Sequence, residues 1–166
     1  MKMRTLQDLL VHEIKDLYSA EKQLVKALPK LAKAAGSHDL RAGLESHLTE
    51  TEGHVNRLEE IMEQLEIPNR GPKCKAMEGL LEEGQEMLDE AMDDEVRDAA
   101  IISAAQRVEH YEIAGYGCAR TYAEQLGFEE AARMLQETLD EEKAADEKLT
   151  HIARQHINME AAQGSR

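Results

Sequence analysis

Leucine, isoleucine and alanine recur along this chain at alternating steps of three and four, the period of one helix face. Leu10, Ile14, Leu17, Glu21, Leu24, Leu28 and Leu31 trace a first helix over roughly residues 5–35. Pro29 falls inside it and removes one backbone bond, so a bend is expected there rather than a stop. Gly36 ends this helix and Ser37 caps the next. The second, roughly 38–66, runs through Leu44, His47, Thr51, His54, Leu58, Ile61 and Leu65. PNRGPKCK (68–75) breaks the rhythm, and a shorter helix follows over about 76–91. Asp93 or Asp94 caps a third long helix ending near Gly127, with Ile102, Ala105, Glu109, Glu112, Tyr116, Ala119, Ala123 and Leu126 on its stripe. A fourth, about 129–157, carries Leu135, Leu139, Glu142, Asp146, Leu149, Ala153 and His156. NMEAAQGSR then reads as a frayed, flexible tail, which leaves residues 1–158 as one domain.

A few residues join the long helices within each pair, so each pair is expected to form an antiparallel hairpin. About 28 residues separate the second long helix from the third, enough to cross the length of a bundle and return. Two hairpins with one long crossover, carrying a short extra helix, is the connectivity of a ferritin-like antiparallel four-helix bundle. No segment alternates as a strand does, so the fold class is all-α.

Each long stripe is interrupted near its middle by groups able to hold a metal. These are Glu21; His47, Glu50 and His54; Glu109 and Glu112; and Glu142 and Asp146. Antiparallel packing brings the four interruptions to similar height. The halves also correspond: Glu21 and Glu112 are 91 residues apart, while Glu50 and Glu142, and His54 and Asp146, are each 92 apart. A lone inward Glu is an ordinary partly solvated boundary residue, and a lone His an ordinary hydrogen-bonded core residue. Coincidence in four helices is what points to metal. Unpaired carboxylates in an apolar interior each cost several kcal/mol, and no Lys or Arg stands on these stripes to neutralise them. Divalent cations would, and carboxylate oxygen with some imidazole suits Fe or Mn, with Zn as a substitute.

Composition agrees with packed helices. The 166 residues are 42% apolar but hold one Phe, four Tyr and no Trp, so Leu, Ile, Ala and Met must fill the core. A net charge of −14 disfavours nucleic acid and anionic lipid as partners and favours the approach of cations. The first ten residues, MKMRTLQDLL, lack a secretory signal, and no uninterrupted apolar stretch would span a membrane. Cys74 and Cys118 form no CxxC pair and fit ordinary thiols of a reducing cytoplasm. Tyr18 and Tyr116, one turn from Glu21 and Glu112, are expected to fill space and donate hydrogen bonds. His12, His38 and His110 fall off the inward lines, and His156 lies too far along its helix to join the centre.

Five stretches, HEIKDLYSAEKQLVKALPKLAKAA, HLTETEGHVNRLE, CKAMEGLLEEG, RVEHYEIAGYG and ETLDEEKAADEKL, resemble the YciE/YciF group of ferritin-like bacterial stress-response proteins. The resemblance runs nearly end to end. It implies a four-helix ferritin-like bundle with a dinuclear metal centre, in proteins associated with stress and often dimeric. This chain departs from the wider ferritin-like arrangement, in which both bridging helices carry Glu-x-x-His. Here Glu50 and His54 are spaced by four, and Asp146 stands where a second His is expected.

The resulting expectation is a cytoplasmic homodimer with two Fe or Mn ions per chain. Glu50 and Glu142 would bridge, Glu21, Glu112, His54 and Asp146 would be terminal ligands, and Glu109 a further or shifting one. His47 would either orient a ligand or pack in the core. Dioxygen or peroxide is the expected small-molecule substrate, in ferrous oxidation or peroxide consumption. The alternatives are a non-enzymatic stress-associated helical protein acting through protein partners, and an iron-storage subunit.

Overall fold

The computed structural model describes residues 3–164. Met1 and Lys2, and Ser165 and Arg166 at the far end of the expected tail, lie outside the described residues. Among the described residues the secondary structure is helical throughout: α1 (Leu6–Ala34), α2 (His38–Gln64), α3 (Lys75–Asp89), α4 (Asp94–Gln125) and α5 (Glu129–Ile152). α5 passes through a π-helical turn, Ala153–Ile157, into α6 (Asn158–Gln163).

Local chemistry sets the ends. Thr5 and Asp8 form a reciprocal capping box at the start of α1. α1 then runs through Pro29 without a break to Ala34. The Ser37 side chain accepts from the Leu40 amide at the start of α2. Asp93 is the N-cap of α4, but its side chain makes no capping bond. Asp98, one turn further on, accepts from the amides of Gly36 and Ser37 at 2.8 and 2.7 Å, tying the first hairpin's turn to α4.

Both predicted hairpins form. α1 packs antiparallel on α2, as Tyr18 bonds Glu59, and α4 on α5, as Gln106 bonds Asp146 and Thr150. Between the hairpins α1 meets α4 and α2 meets α5, the latter through Arg57 and its partners Thr138 and Glu141. The α1–α4 approach is close: a Cβ on Gly115 would lie 2.8 Å from Leu17 Cδ2. The segment from 65 to 93, with α3 inside it, returns along the bundle and rests on α1 and α4.

Where the sequence suggests a frayed tail from Asn158, the chain remains helical to Gln163. Ala153 and Ile157 explain the difference, since both are buried in the core and hold the end of the chain against α4.

The core comes in two blocks. One holds Leu24, Leu28, Leu44, Ile102, Val108 and Leu149; the other Leu10, Ile14, Leu17, Leu58, Tyr116 and Leu139. Along every long helix the passage from one block to the other crosses the polar residues singled out above.

Candidate metal centre

Between the two blocks lie six ionisable side chains from four helices: Glu21 of α1, His47 and His54 of α2, Glu109 and Glu112 of α4, and Glu142 of α5. All are buried, with Glu21, His54, Glu112 and Glu142 at 0% exposure. Helical spacing explains the geometry. His47 and His54 are two turns apart and Glu109 and Glu112 one turn, so each pair shares a face. Potential donor atoms of His47, Glu109, Glu112 and Glu142 lie within 4.8 Å of one another, and so do those of Glu21, His54 and Glu142. Glu142 belongs to both groups.

Close approach without hydrogen bonding distinguishes this cluster from an ordinary polar core. His47 Nε2 is 3.0 Å from Glu109 Oε1, and His54 Nδ1 is 3.0 Å from Glu142 Oε1 and 3.3 Å from Glu21 Oε1. Both nitrogens nevertheless lack a directed hydrogen bond, as do both oxygens of Glu112 and of Glu142 and one oxygen each of Glu21 and Glu109. Buried polar atoms are almost always satisfied, so eight orphans in one place require a partner. Among the described residues no Lys or Arg forms an ion pair with these four glutamates.

The outer nitrogens of both histidines are engaged. His47 Nδ1 lies 3.3 Å from Glu50 Oε2, and His54 Nε2 2.8 Å from Glu141 Oε2. Glu141 is itself held by Arg57 Nη1 at 2.9 Å. A proton on each outer nitrogen would turn a lone pair inward, as in histidines that bind metal. Tyr116 donates its hydroxyl to Glu21, leaving the other oxygen of that carboxylate free. The donor set, four carboxylates and two imidazoles, fits Fe or Mn, and its division around Glu142 fits two ions with one shared carboxylate.

Burial and mutual repulsion oppose full ionisation of these carboxylates. Burial, and then Glu142, Glu21 and Glu109, push the Glu112 carboxyl well above the usual range. Burial and the neighbouring Glu109 raise Glu142 to about 7 despite His54. Burial alone would lower both histidines. The surrounding carboxylates win, raising His47 to about 11 through Glu109 and Glu50, and His54 to about 10 through Glu142 and Glu21. Every one of these shifts favours holding a proton, which a divalent cation would displace.

The sequence-predicted ligands divide. Glu21, His54, Glu109, Glu112 and Glu142 come together. Two do not. Glu50 is 45% exposed at its side chain and meets the outer nitrogen of His47 instead of bridging. Asp146 pairs with His110 and Gln106, away from the cluster. Glu50 precedes the buried Thr51 by one position, whereas Asp146 lies on the stripe but is drawn to its flank by His110 and Gln106. His47 takes the inward place assigned to Glu50. Glu141 and Arg57 were missed because they act from outside the apolar stripes; only the ring nitrogen of His54 left without a partner could have drawn attention to them.

Tyr116 and Tyr18 both donate hydrogen bonds, as expected. Both cysteines are free; Cys74 is buried at the start of α3 and Cys118 is exposed. No helix is long and apolar enough to cross a membrane among the described residues.

Fold and centre together define an all-α, ferritin-like four-helix bundle with a buried carboxylate–histidine cluster. Residues 5–162 match the family described as Domain of unknown function (DUF892), and the chain belongs to that family. It is 49% identical over 162 residues to Protein YciF of Escherichia coli (strain K12), spanning 97% of this chain and 98% of that one. The crystal structure of the E. coli stress protein YciF superposes with a TM-score of 0.91 at 48% identity, covering 95% of this chain and 100% of the other. YcfI from Rhodopseudomonas palustris, which carries a provisional description as a structural protein, superposes with a TM-score of 0.87 at 45% identity, covering 90% and 95%. The resemblance to the YciE/YciF group is therefore borne out.

Proposed function

We propose that this chain is a dinuclear Fe or Mn protein of the bacterial cytoplasm that serves in stress protection, working as a homodimer. The reading rests on one observation: eight polar atoms without a directed hydrogen bond, from four helices, converge in an apolar interior where, among the described residues, no Lys or Arg pairs with them. His47, Glu109, Glu112 and Glu142 would hold one ion, and Glu21, His54 and Glu142 the other. Two adjacent redox metals supply a two-electron step on dioxygen or peroxide, or the oxidation of ferrous iron. The chain's own residues do the rest. Glu50 and Glu141 hold the imidazole protons on the outer nitrogens, Tyr116 orients Glu21, and the two apolar blocks limit water. The stress association comes from the description of the relative YciF.

Consumption of hydrogen peroxide by metal-loaded protein, followed with an oxygen electrode, tests the reaction. Peroxide loss with oxygen release identifies a catalase-like step. Loss without oxygen, or oxidation of added ferrous iron, identifies peroxidase or ferroxidase chemistry. No turnover with any of these would reject the enzymatic reading.

A second reading, a non-enzymatic helical protein acting through protein partners, is compatible with the description of YcfI as a structural protein. In that case thermal stability would be indifferent to chelator. Iron storage would require a shell of many subunits, which size-exclusion chromatography separates from a dimer.

A further inference from the structure

Two cavities, both mainly apolar, reach Glu109 from opposite sides. The smaller, about 150 Å³, opens between α2 and α5, where Leu44, Leu149 and Ile152 line it together with His47, Glu50 and Lys148. The larger, about 360 Å³, lies on the other side of the bundle between α1, α3 and α4. Its walls are Leu24, Leu28, Leu31, Leu80, Leu81 and Val108, and Glu109 reaches it from the centre. The hollow exists because small residues face it: Ala27, Gly84, Ala104 and Ala105. A Cβ on Gly84 would come within 3.3 Å of Ala104, so little more than hydrogen fits there.

The rim carries Lys26, Lys30, Lys73, Glu78 and Glu82. Lys73 is paired with Glu78, whereas Lys26 and Lys30, one turn apart on α1 and both exposed, form no ion pair among the described residues. Two lysines thus sit side by side at an apolar hollow in a chain of net charge −14, although Glu78, Glu82 and Glu109 also line it. The volume lies in the range of small-molecule sites, and an apolar wall with a few charged groups at one end selects an amphiphile.

We propose that this cavity binds a linear amphiphile, a medium-chain carboxylate, with its head between Lys26 and Lys30 and its hydrocarbon chain directed at Glu109. The site deepens the metal-centre reading and rests on it for what lies at the inner end of the chain, because it gives that centre an organic substrate class. Binding itself requires only the cavity.

Calorimetric titration of decanoate into the whole chain, both metal-loaded and chelator-treated, tests this. One saturable site per chain is expected, with no binding of acetate. Ala27→Phe, which fills the hollow, should weaken decanoate at least tenfold. The double variant Lys26→Gln, Lys30→Gln should weaken decanoate but leave decanol unaffected, and it decides the matter if the Phe variant does not fold. In the metal-loaded protein, decanoate should also perturb the absorption or electron-resonance spectrum of the metal. Absence of saturable binding, or binding unchanged in the double variant, overturns the proposal. Metal content measured on the same samples keeps the two readings apart: a chain that takes metal but no decanoate loses only this site, and one that takes decanoate but no metal loses only the centre.

Discussion

His54 and Glu141 stand 2.8 Å apart, Nε2 to Oε2, on the outer edge of a cluster whose inner atoms are otherwise without partners. The contact is small, but it decides which nitrogen of a fully buried ring faces the centre. Arg57 fixes the carboxylate from the other side at 2.9 Å, so α2 and α5 are locked together where the ring must be aimed.

Glu141→Gln should therefore weaken metal binding without touching an inward ligand. Partners of this kind are worth roughly ten- to a hundredfold in metal affinity. Competition against a chromophoric chelator would measure it. An unchanged affinity would mean that the ring is oriented by packing alone.

Glu112 is fully buried, and neither of its oxygens has a hydrogen-bond partner. Glu112→Gln should lose at least half of the metal, because an anionic carboxylate with two unpartnered oxygens becomes a neutral amide that ligates poorly. The metal-free variant should be as stable as the parent or more stable by up to about 2 kcal/mol, as is common when a buried charge is replaced. Urea denaturation in chelator reads this directly, and a large loss of stability would show that the carboxylate has a protein partner after all.

Asp146 and His47 separate two versions of the centre. His47→Ala should lower occupancy sharply, whereas Asp146→Asn should leave it unchanged, since Asp146 faces His110 and Gln106. Elemental analysis of the two variants side by side gives the answer, and the opposite outcome would restore the arrangement suggested by spacing.

Stability should respond to pH in a metal-dependent way. Glu142, raised from 4.5 to about 7, binds a proton more tightly in the folded chain than in the unfolded one. Its contribution is present below 4.5 and is lost as pH rises through about 7. His47 and His54, raised from 6.5 to about 11 and about 10, have the same sign, with contributions present below 6.5 and lost on further rise. The metal-free chain should thus weaken between about pH 5 and 8, while metal takes the place of these protons. Melting temperatures with Mn and with chelator should diverge across that range. Groups elsewhere shift both curves equally, so a constant gap would contradict the account.

Fold was more legible than site, for a physical reason. Leu10, Leu24, Leu44, Leu135 and Leu149 repeat with the helical period because a bundle buries one continuous face, and short turns at Gly36 and Gly127 force hairpins. Glu21, Glu112 and Glu142 were legible on the same grounds, as interruptions of that face. Glu50 and Asp146 fall outside the two donor groups because periodicity assigns a face but not the rotamer or the neighbour that draws a side chain to its edge. Glu141 and Arg57 lie on no stripe, and only three-dimensional proximity joins them to His54. The helical continuation past Ile157 depended on burial of that side chain against α4, a contact between distant segments to which local composition is blind.

Metal content of the freshly purified protein, with no metal added, tests the central claim most directly. The two donor groups sharing Glu142 predict two Fe or Mn ions per chain. A site that is empty on isolation and still refuses Fe, Mn and Zn on reconstitution would contradict it.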